Sequence, residues 1–235
     1  MEKEVTTKIL FIGNKAEDYF INNKEKLSKI INNIIEINNE NYEIDIVHDF
    51  RSIHKIEVQH ILIIDSDDDS LKKKLKCLKA LNIFTVIDVG LDKSGEVEKC
   101  FMNENIIKTL KTDKSLDYLI FAMADLSKPP VYFGDMSSFD EYAKERLGYK
   151  KYKYKKIDKV SNSIKDLEDN IIEISEKTQN IFLLIFICNQ SVIDVQEDMW
   201  NIESKFGDDK RIPYYIGLDE TIEPKENINV LLLYS

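Results

Sequence analysis

The chain has 235 residues and a formal net charge of −10, with 43% hydrophobic and 32% charged residues. This composition is typical of a globular protein and excludes a disordered chain. The negative charge argues against partners such as nucleic acid or an anionic membrane surface.

The cysteines and the apolar runs indicate where the protein is found. Cys77, Cys100 and Cys188 are irregularly spaced and match neither a zinc motif nor a disulfide framework. We therefore expect reduced, buried thiols in a cytoplasmic protein. We expect no membrane span, because every apolar run is far shorter than the ~20 residues that cross a bilayer.

Strand and helix patterns alternate through the first half of the chain. Apolar runs rich in Ile, Val and Phe predict buried strands, and apolar residues spaced three or four apart predict helices. The predicted elements are strand 8–12, helix 18–37, strand 42–47, strand 61–64, helix 71–81, strand 83–89, helix 106–111 and strand 116–123. This alternation is typical of an α/β fold with a doubly wound, mostly parallel sheet.

The regular alternation stops at Pro129 and Pro130. We place a subdomain boundary there, which gives a Rossmann-like unit at residues 1–130 and a smaller α+β unit at residues 131–235. The elements predicted in the second unit are helix 139–146, strand 149–157, helix 159–176, strand 181–188, helix 192–206, strand 212–218 and strand 228–234.

Two loops that follow predicted strands are candidates for binding a cofactor or a metal ion. The loop at 13–18 has one glycine, and its candidate cofactor contacts are Gly13 and Asn14, although we favour an ordinary turn into a helix. The loop at 65–70 has four carboxylates and no glycine, so it would repel a triphosphate unless a metal ion screened it. Its candidate ligands for Mg²⁺ or Ca²⁺ are Asp65, Asp67, Asp68 and Asp69. We favour the alternative that these residues cap the next helix.

The acids of the central region predict no catalytic site. Asp135, Asp140 and Glu141 could activate a water molecule as paired acids do. However, Ser138 and Glu141 also form a capping box at a predicted helix start, and we favour that role. No catalytic residue is therefore assigned.

Two further patterns have ordinary explanations. The alternating tyrosines and lysines at 149–156 could stack bases and contact phosphates. A strand with one lysine face in water explains them as well, and the net charge favours that explanation. His48, His54 and His60 recur at a spacing that converges in neither a strand nor a helix, so no metal site is expected.

The order of elements at 181–235 is apolar strand, helix, strand and last apolar strand. This order resembles the order of elements at the end of the second subdomain in the FtsZ/tubulin superfamily, and it is more similar to FtsZ than to tubulin. The best local match is the stretch YIGLDE at 215–220, where apolar residues lead into Asp219 and Glu220. The segments at 8–14, 60–90 and 106–126 resemble, more weakly, successive elements of the family's nucleotide-binding half. The resemblance implies a fold whose usual function is GTP-driven assembly.

The chain departs from the family where the family binds GTP. The family's signature loop is rich in glycine and threonine, whereas the matching loop here is 65–70. The long central helix of the family is missing or shortened, and the motif around Asp135 and Asp140 does not match the family's catalytic loop. We therefore expect an FtsZ-like cytoskeletal or scaffold protein, a pseudo-GTPase that associates with itself or with other proteins, and we expect no cofactor, GTP included.

Two alternatives remain open from the sequence. The first is a divergent GTPase of the same superfamily that binds GTP and polymerises. The second is an α/β protein that binds a small ligand or a metal ion in a cleft near residues 65–69.

Overall fold

The computed structural model describes residues 4–38, 42–47, 58–93, 95–109, 112–127, 151–161, 163–178, 181–188, 191–206, 212–218 and 228–234. The chain divides into two compact units, Met1–Tyr152 and Lys153–Ser235. The boundary predicted between residues 130 and 131 lies outside the described residues and stays a prediction.

Five parallel strands form the sheet of the first unit. They are β1 (Glu4–Ile12), β2 (Tyr42–Val47), β3 (Gln59–Ile64), β4 (Asn82–Asp88) and β5 (Asn105–Lys108). Their spatial order is β2-β1-β3-β4-β5, and each neighbouring pair is parallel. The central strands are continuous apolar runs because helices cover both faces of the sheet.

Among the described residues of the first unit, the helices are α1 (Asn14–Asn38), α2 (Asp69–Leu78), α3 (Glu96–Cys100) and α4 (Lys114–Leu126). On one face of the sheet, Leu71, Leu75 and Leu78 of α2 share a buried cluster with residues of β1, β3 and β4. On the other face, Phe11 of β1 packs against Phe20 of α1 with ring centroids 5.2 Å apart. The sheet is therefore doubly wound.

Two elements predicted from the sequence are wrong. Residues 106–111, predicted as a helix, contain strand β5, and residues 116–123, predicted as a strand, lie in helix α4. Helix α4 begins where the Asp113 carboxylate accepts a hydrogen bond of 2.9 Å from the Ser115 amide. Residues 115–120 are all buried. A helix buried on nearly all sides has the same continuous apolar sequence as a buried strand, which explains the error.

The second unit has a mixed sheet of four strands. They are β6 (Lys151–Ser161), β7 (Ile181–Ile187), β8 (Tyr214–Leu218) and β9 (Ile228–Tyr234), in the order β6-β9-β7-β8. Strand β9 is antiparallel to β6 and β7, and β7 is parallel to β8. The helix predicted at 159–176 starts later, because residues 159–161 still belong to β6.

Two helices pack on the sheet of the second unit. They are α5 (Glu168–Lys177), preceded by a 3-10 turn at Ile164–Leu167, and α6 (Val192–Glu203), followed by a 3-10 turn at Ser204–Phe206. Their apolar residues bury the inner face of β7 and β9, with Val195, Met199 and Ile202 of α6 at the centre. The predicted fold class, a Rossmann-like parallel unit followed by a smaller α+β unit, is confirmed.

Two expectations about exposure have different outcomes. The thiols of Cys100 and Cys188 are partly buried, but Cys77 is exposed on α2, so the prediction that all three are buried is wrong. In the described part of the chain, none of the helices combines the length and the hydropathy needed to cross a bilayer.

Candidate functional site

The loops after β1 and β3 meet at the carboxyl edge of the parallel sheet. Strand β2 lies on one side of β1, and β3 lies on the other side. The strand order therefore reverses between β1 and β3, which makes this position the topological switch point of the sheet. Doubly wound sheets bind their ligands at this position. The Asp65 amide joins the two loops by donating a hydrogen bond of 2.9 Å to the carbonyl of Ile12.

Gly13 allows the two loops to pack closely. Its φ is +95°, a conformation that glycine adopts without strain. A Cβ at this position would lie 3.0 Å from Cβ of Asp65 and 3.3 Å from Cβ of Asp68. Gly13 therefore brings the start of α1 against the acidic loop, rather than holding open a space in front of the helix.

Three backbone amides at the start of α1 are bonded to carboxylates of the same chain. The amide of Gly13 donates to Oε1 of Glu17 at 3.1 Å. The amide of Asn14 donates to Oδ2 of Asp68 at 3.2 Å, and the amide of Lys15 donates to Oδ2 of Asp65 at 3.0 Å. Amides at a helix start are the donors that bind phosphate in many α/β proteins. Here side-chain carboxylates take the place of such an anion.

Lys15 supplies the cation beside these carboxylates. Its Nζ is 2.6 Å from Oδ2 of Asp67 and 3.8 Å from Oδ1 of Asp65. The hydrogen bond to Asp67 raises the pKa of Lys15. The same bond, together with the Leu91 amide, lowers the pKa of Asp67. Lys15 and Asp67 therefore hold each other in their charged forms.

Asp68 serves two helices at once. Its Oδ1 accepts a hydrogen bond of 2.8 Å from the Ser70 amide and so caps α2, while its Oδ2 faces Asn14 at the start of α1. Burial acts to raise the pKa of Asp68, but the hydrogen bonds from Ser70 and Asn14 outweigh burial, and the pKa is lowered. The capping role that the sequence favoured for this loop is therefore observed at Asp68.

The loop after β4 continues the same edge through Asp88 and Gly90. Oδ1 of Asp88 accepts hydrogen bonds from the amides of Gly90 at 2.9 Å and Ser66 at 3.2 Å. The hydroxyl of Ser66 accepts a 2.7 Å bond from the amide of Asp92, and Oδ1 of Asp67 accepts one of 3.0 Å from the amide of Leu91. Three of these contacts, Ser66–Asp88, Asp92–Ser66 and Leu91–Asp67, join the loops after β3 and β4.

Asp88 is the most strongly perturbed carboxylate of this edge. It is fully buried, and its Oδ2 has no hydrogen-bond partner among the described residues. Burial raises its pKa to about 6, against the lowering effects of the Gly90 and Ser66 contacts and of Lys108. A buried carboxyl group with one unsatisfied oxygen is costly when ionised.

Asp92 and Lys108 complete the edge near β5. The Asp92 carboxylate accepts hydrogen bonds from the amides of Val97 and Glu98 and so holds the start of the short helix α3. Nζ of Lys108 lies 2.7 Å from Glu98 and 3.7 Å from Asp92. As at the start of α1, helix amides and a lysine are matched by carboxylates of the chain itself.

The structure brings together most of the residues proposed from the sequence. Gly13, Asn14, Asp65, Asp67 and Asp68 lie in one network, as described above. Asp69 lies apart from it: its side chain is 95% exposed, and the nearest cation is Nζ of Lys72 at 3.4 Å. Among the described residues, no group of three or more His, Cys, Asp or Glu side chains is arranged to hold a metal ion.

Sequence reasoning missed four members of the network: Lys15, Glu17, Ser66 and Asp88. Asp88 carried a usable signal, because it ends a predicted strand beside two others whose ends were already candidates, and the ends of parallel strands share one edge. Glu17 gave a weaker signal through its position one turn after Gly13, within reach of the free amides at the helix start.

Other candidates lie outside this edge. His60 is buried in β3, where Nδ1 is 3.2 Å from the carbonyl of Asn82 and burial lowers the pKa of the ring. The other candidates lie outside the described residues: His48, His54, Asp135, Asp140, Glu141, Asp219 and Glu220. The side chains of β6 are outside the described part of the structure as well.

Comparison with known proteins gives similarity in structure only. No family model matches the chain, and no curated protein matches it. A mutant FtsZ from M. jannaschii matches with a TM-score of 0.48 and 10% identity, over 99% of this chain and 91% of that one. The chain is similar in structure to FtsZ.

Two CetZ structures from Haloferax volcanii also match. CetZ2, in a GTPγS-bound protofilament, has a TM-score of 0.41 and 8% identity, over 97% of this chain and 92% of that one. CetZ1, a GDP-bound monomer, has a TM-score of 0.42 and 10% identity, over 98% and 94%. These matches agree with the resemblance noted in the sequence.

Proposed function

We propose that this chain is a cytoplasmic FtsZ-like protein that acts by associating with other protein chains, itself included, without hydrolysing GTP. The observation that carries the proposal is the set of three hydrogen bonds from the amides of Gly13, Asn14 and Lys15 to Glu17, Asp68 and Asp65. A phosphate group at the start of α1 would have to displace all three carboxylates.

The charge of the loop also disfavours a phosphate. Glu17, Asp65, Asp67 and Asp68 contribute four carboxylates around one cation, Lys15. At ~4 Å and an effective dielectric constant of about 20, two like charges repel by about 4 kcal/mol. Carboxylates of the chain already occupy these donors, so the donor set does not fit GTP.

Nucleotide binding tests the non-hydrolysing part of the proposal. We expect isothermal titration calorimetry with GTP and Mg²⁺ to give no binding heat at micromolar concentrations, and a phosphate-release assay to give no turnover. Micromolar binding accompanied by turnover would overturn the proposal in favour of the divergent GTPase.

Sedimentation velocity tests the association part. We expect the sedimentation coefficient to rise with protein concentration, equally with and without GTP, because association would not depend on an occupied nucleotide site. A constant monomer value from micromolar to several hundred micromolar would contradict self-association. Oligomers that appear only when GTP is added would again favour the divergent GTPase.

A further inference from the structure

The outward face of α6 carries an apolar stripe that the core of its unit does not use. Trp200, the only tryptophan of the chain, is 75% exposed, and Ile193 is 65% exposed. The two residues are seven apart, so they lie on the same side of the helix, with Glu197 between them. The buried residues Val195 and Met199 lie on the opposite side.

An exposed tryptophan of this kind is unusual on a protein surface. Tryptophan combines a large apolar area with a ring face that attracts cations, and it is enriched where proteins contact each other. The acidic residues of α6 are Asp194, Glu197, Asp198 and Glu203, and the helix has no lysine or arginine. The exposed acids beside the stripe are Asp194 and Glu197, whereas the carboxylates of Asp198 and Glu203 accept hydrogen bonds from Ser163 and Ile212 of the same unit.

Helix α2 presents the complementary surface. Its inner side is formed by Leu71, Leu75 and Leu78, which are buried. Its outer side is basic although the whole chain has a net charge of −10. The lysines of the helix and its C-cap are Lys72, Lys73, Lys74, Lys76 and Lys79, against a single acid, Asp69.

We propose that the outward face of α6 in one copy of this chain docks on the lysine-rich face of α2 in a second copy. This inference rests on the self-association proposed above and names its surfaces. The Trp200 ring receives a lysine ammonium group over its face, and the lysine stems cover Ile193. Glu197 and Asp194 face the remaining ammonium groups across the contact.

The contact has consequences for assembly. The two faces are different, so a single α6–α2 contact leaves the α2 face of one copy and the α6 face of the other for further copies. Because lysines and carboxylates supply part of the attraction, the association weakens as salt concentration rises.

Single-surface variants provide the first test, measured by sedimentation velocity against the wild-type concentration series. We expect Trp200→Ala, and separately Lys73→Glu/Lys76→Glu, to raise the dissociation constant of self-association about tenfold, because removing a central anchor typically has effects of this size. The matched control is Lys24→Glu/Lys29→Glu on α1, which makes the same charge change on exposed lysines elsewhere and should stay within about twofold of wild type.

A charge-swap experiment separates docking from general repulsion. Asp194→Lys/Glu197→Lys reverses the α6 face, and Lys73→Glu/Lys76→Glu reverses the α2 face. Each variant alone opposes like charges at the contact, but an equal mixture offers matched faces at every junction. We expect the mixture to recover association that both variants lack alone. A mixture that stays dissociated would overturn the pairing.

Cysteine cross-linking locates the contact. Cys77 is exposed on α2, and Gln196 is exposed beside the stripe on α6. With Cys100 and Cys188 replaced by alanine, one copy retains Cys77 and the other carries Cys77→Ser with Gln196→Cys. Mild oxidation should give a disulfide-linked dimer in the mixture. The control places the new cysteine on α5 as Glu176→Cys and should give none.

The results distinguish failure of the surfaces from failure of the proposed function. If the wild-type protein associates while the variants associate equally well and no cross-link forms, the α6–α2 contact is wrong and the proposed function stands. If the wild-type protein remains a monomer, self-association itself is refuted. Circular dichroism and thermal unfolding of Trp200→Ala should match the wild type closely, because this residue is 75% exposed.

Discussion

The carboxyl edge of the parallel sheet and the outer faces of α2 and α6 differ in how their charged groups are paired. At the sheet edge, amides and Lys15 are matched by carboxylates of the same chain, and little is left for a ligand. On the two helices, one sign of charge dominates each face and is turned to solvent. The chain's own groups are therefore paired with each other where doubly wound sheets bind small ligands, whereas Trp200 of α6 and the lysines Lys73 and Lys76 of α2 are exposed to solvent.

The largest effect that tests the closed sheet edge is expected at Gly90. A Cβ there would lie 2.6 Å from the Ser66 amide nitrogen and 2.7 Å from that of Asp67, both backbone atoms that cannot move aside alone. Gly90→Ala should therefore lower the free energy of unfolding by about 3 kcal/mol in urea denaturation.

Gly95→Ala is the matched control for Gly90→Ala. Nothing lies within 4 Å of a Cβ at Gly95, although its φ of +65° strains any other residue. That strain alone should cost about 1 kcal/mol. Equal losses from the two substitutions would show that the loops after β3 and β4 are not packed as closely as described.

A smaller effect is expected from the buried charge of Asp88. The pKa of Asp88 is raised from 3.8 to about 6, so the folded state binds the proton more tightly than the unfolded state. The stabilisation from this proton is present below the unfolded pKa and is lost as pH rises through about 6. Lys15 and Lys108 are the cations whose fields reach the group.

Asp88→Asn tests this pH dependence. The amide oxygen can still accept from Gly90 and Ser66, but the group no longer titrates. Proton linkage with these pKa values changes the stability of the wild type by about 1.4 kcal/mol between pH 5 and pH 7.5. The stability of the variant relative to the wild type should therefore be higher at pH 7.5 than at pH 5 by that amount. A constant difference across this pH range would show that Asp88 titrates normally.

Much of the fold was readable in the sequence because buried strands have distinctive runs. Strands β2 and β9 were predicted with the bounds that the structure gives. Helix α4 was predicted as a strand, because burial on nearly all sides removed its helical periodicity. Its one buried carboxylate, Asp117, is bonded to Tyr19 and Lys26 of α1. Partners separated by about ninety residues or more leave no local pattern.

The sequence predicted the residues of the candidate site in part, but it did not predict their partners. The acids at 65–70 stood out as a cluster, and the sequence favoured a helix cap in this loop without indicating which residue forms it; the structure has Asp68 as the cap. Their binding to the amides of Gly13, Asn14 and Lys15 depends on β1 and β3 being neighbours, which is a property of strand order. Strand order cannot be read from the two segments separately.

The smallest effect is expected from reopening the start of α1. Glu17→Ala/Asp68→Ala removes two carboxylates and frees the amides of Gly13 and Asn14. Inorganic phosphate should then stabilise the variant by about 1 kcal/mol when present at about five times its dissociation constant, measured as the rise in melting temperature over an equal ionic strength of chloride. The wild type and the control Asp69→Ala, whose side chain faces solvent in the same loop, should show no such rise. If all three proteins respond equally, the carboxylates do not exclude anions, and the closed edge would not explain a lack of GTP binding. A response confined to the double variant would identify the carboxylates of this chain as the groups that exclude a phosphate from the helix start.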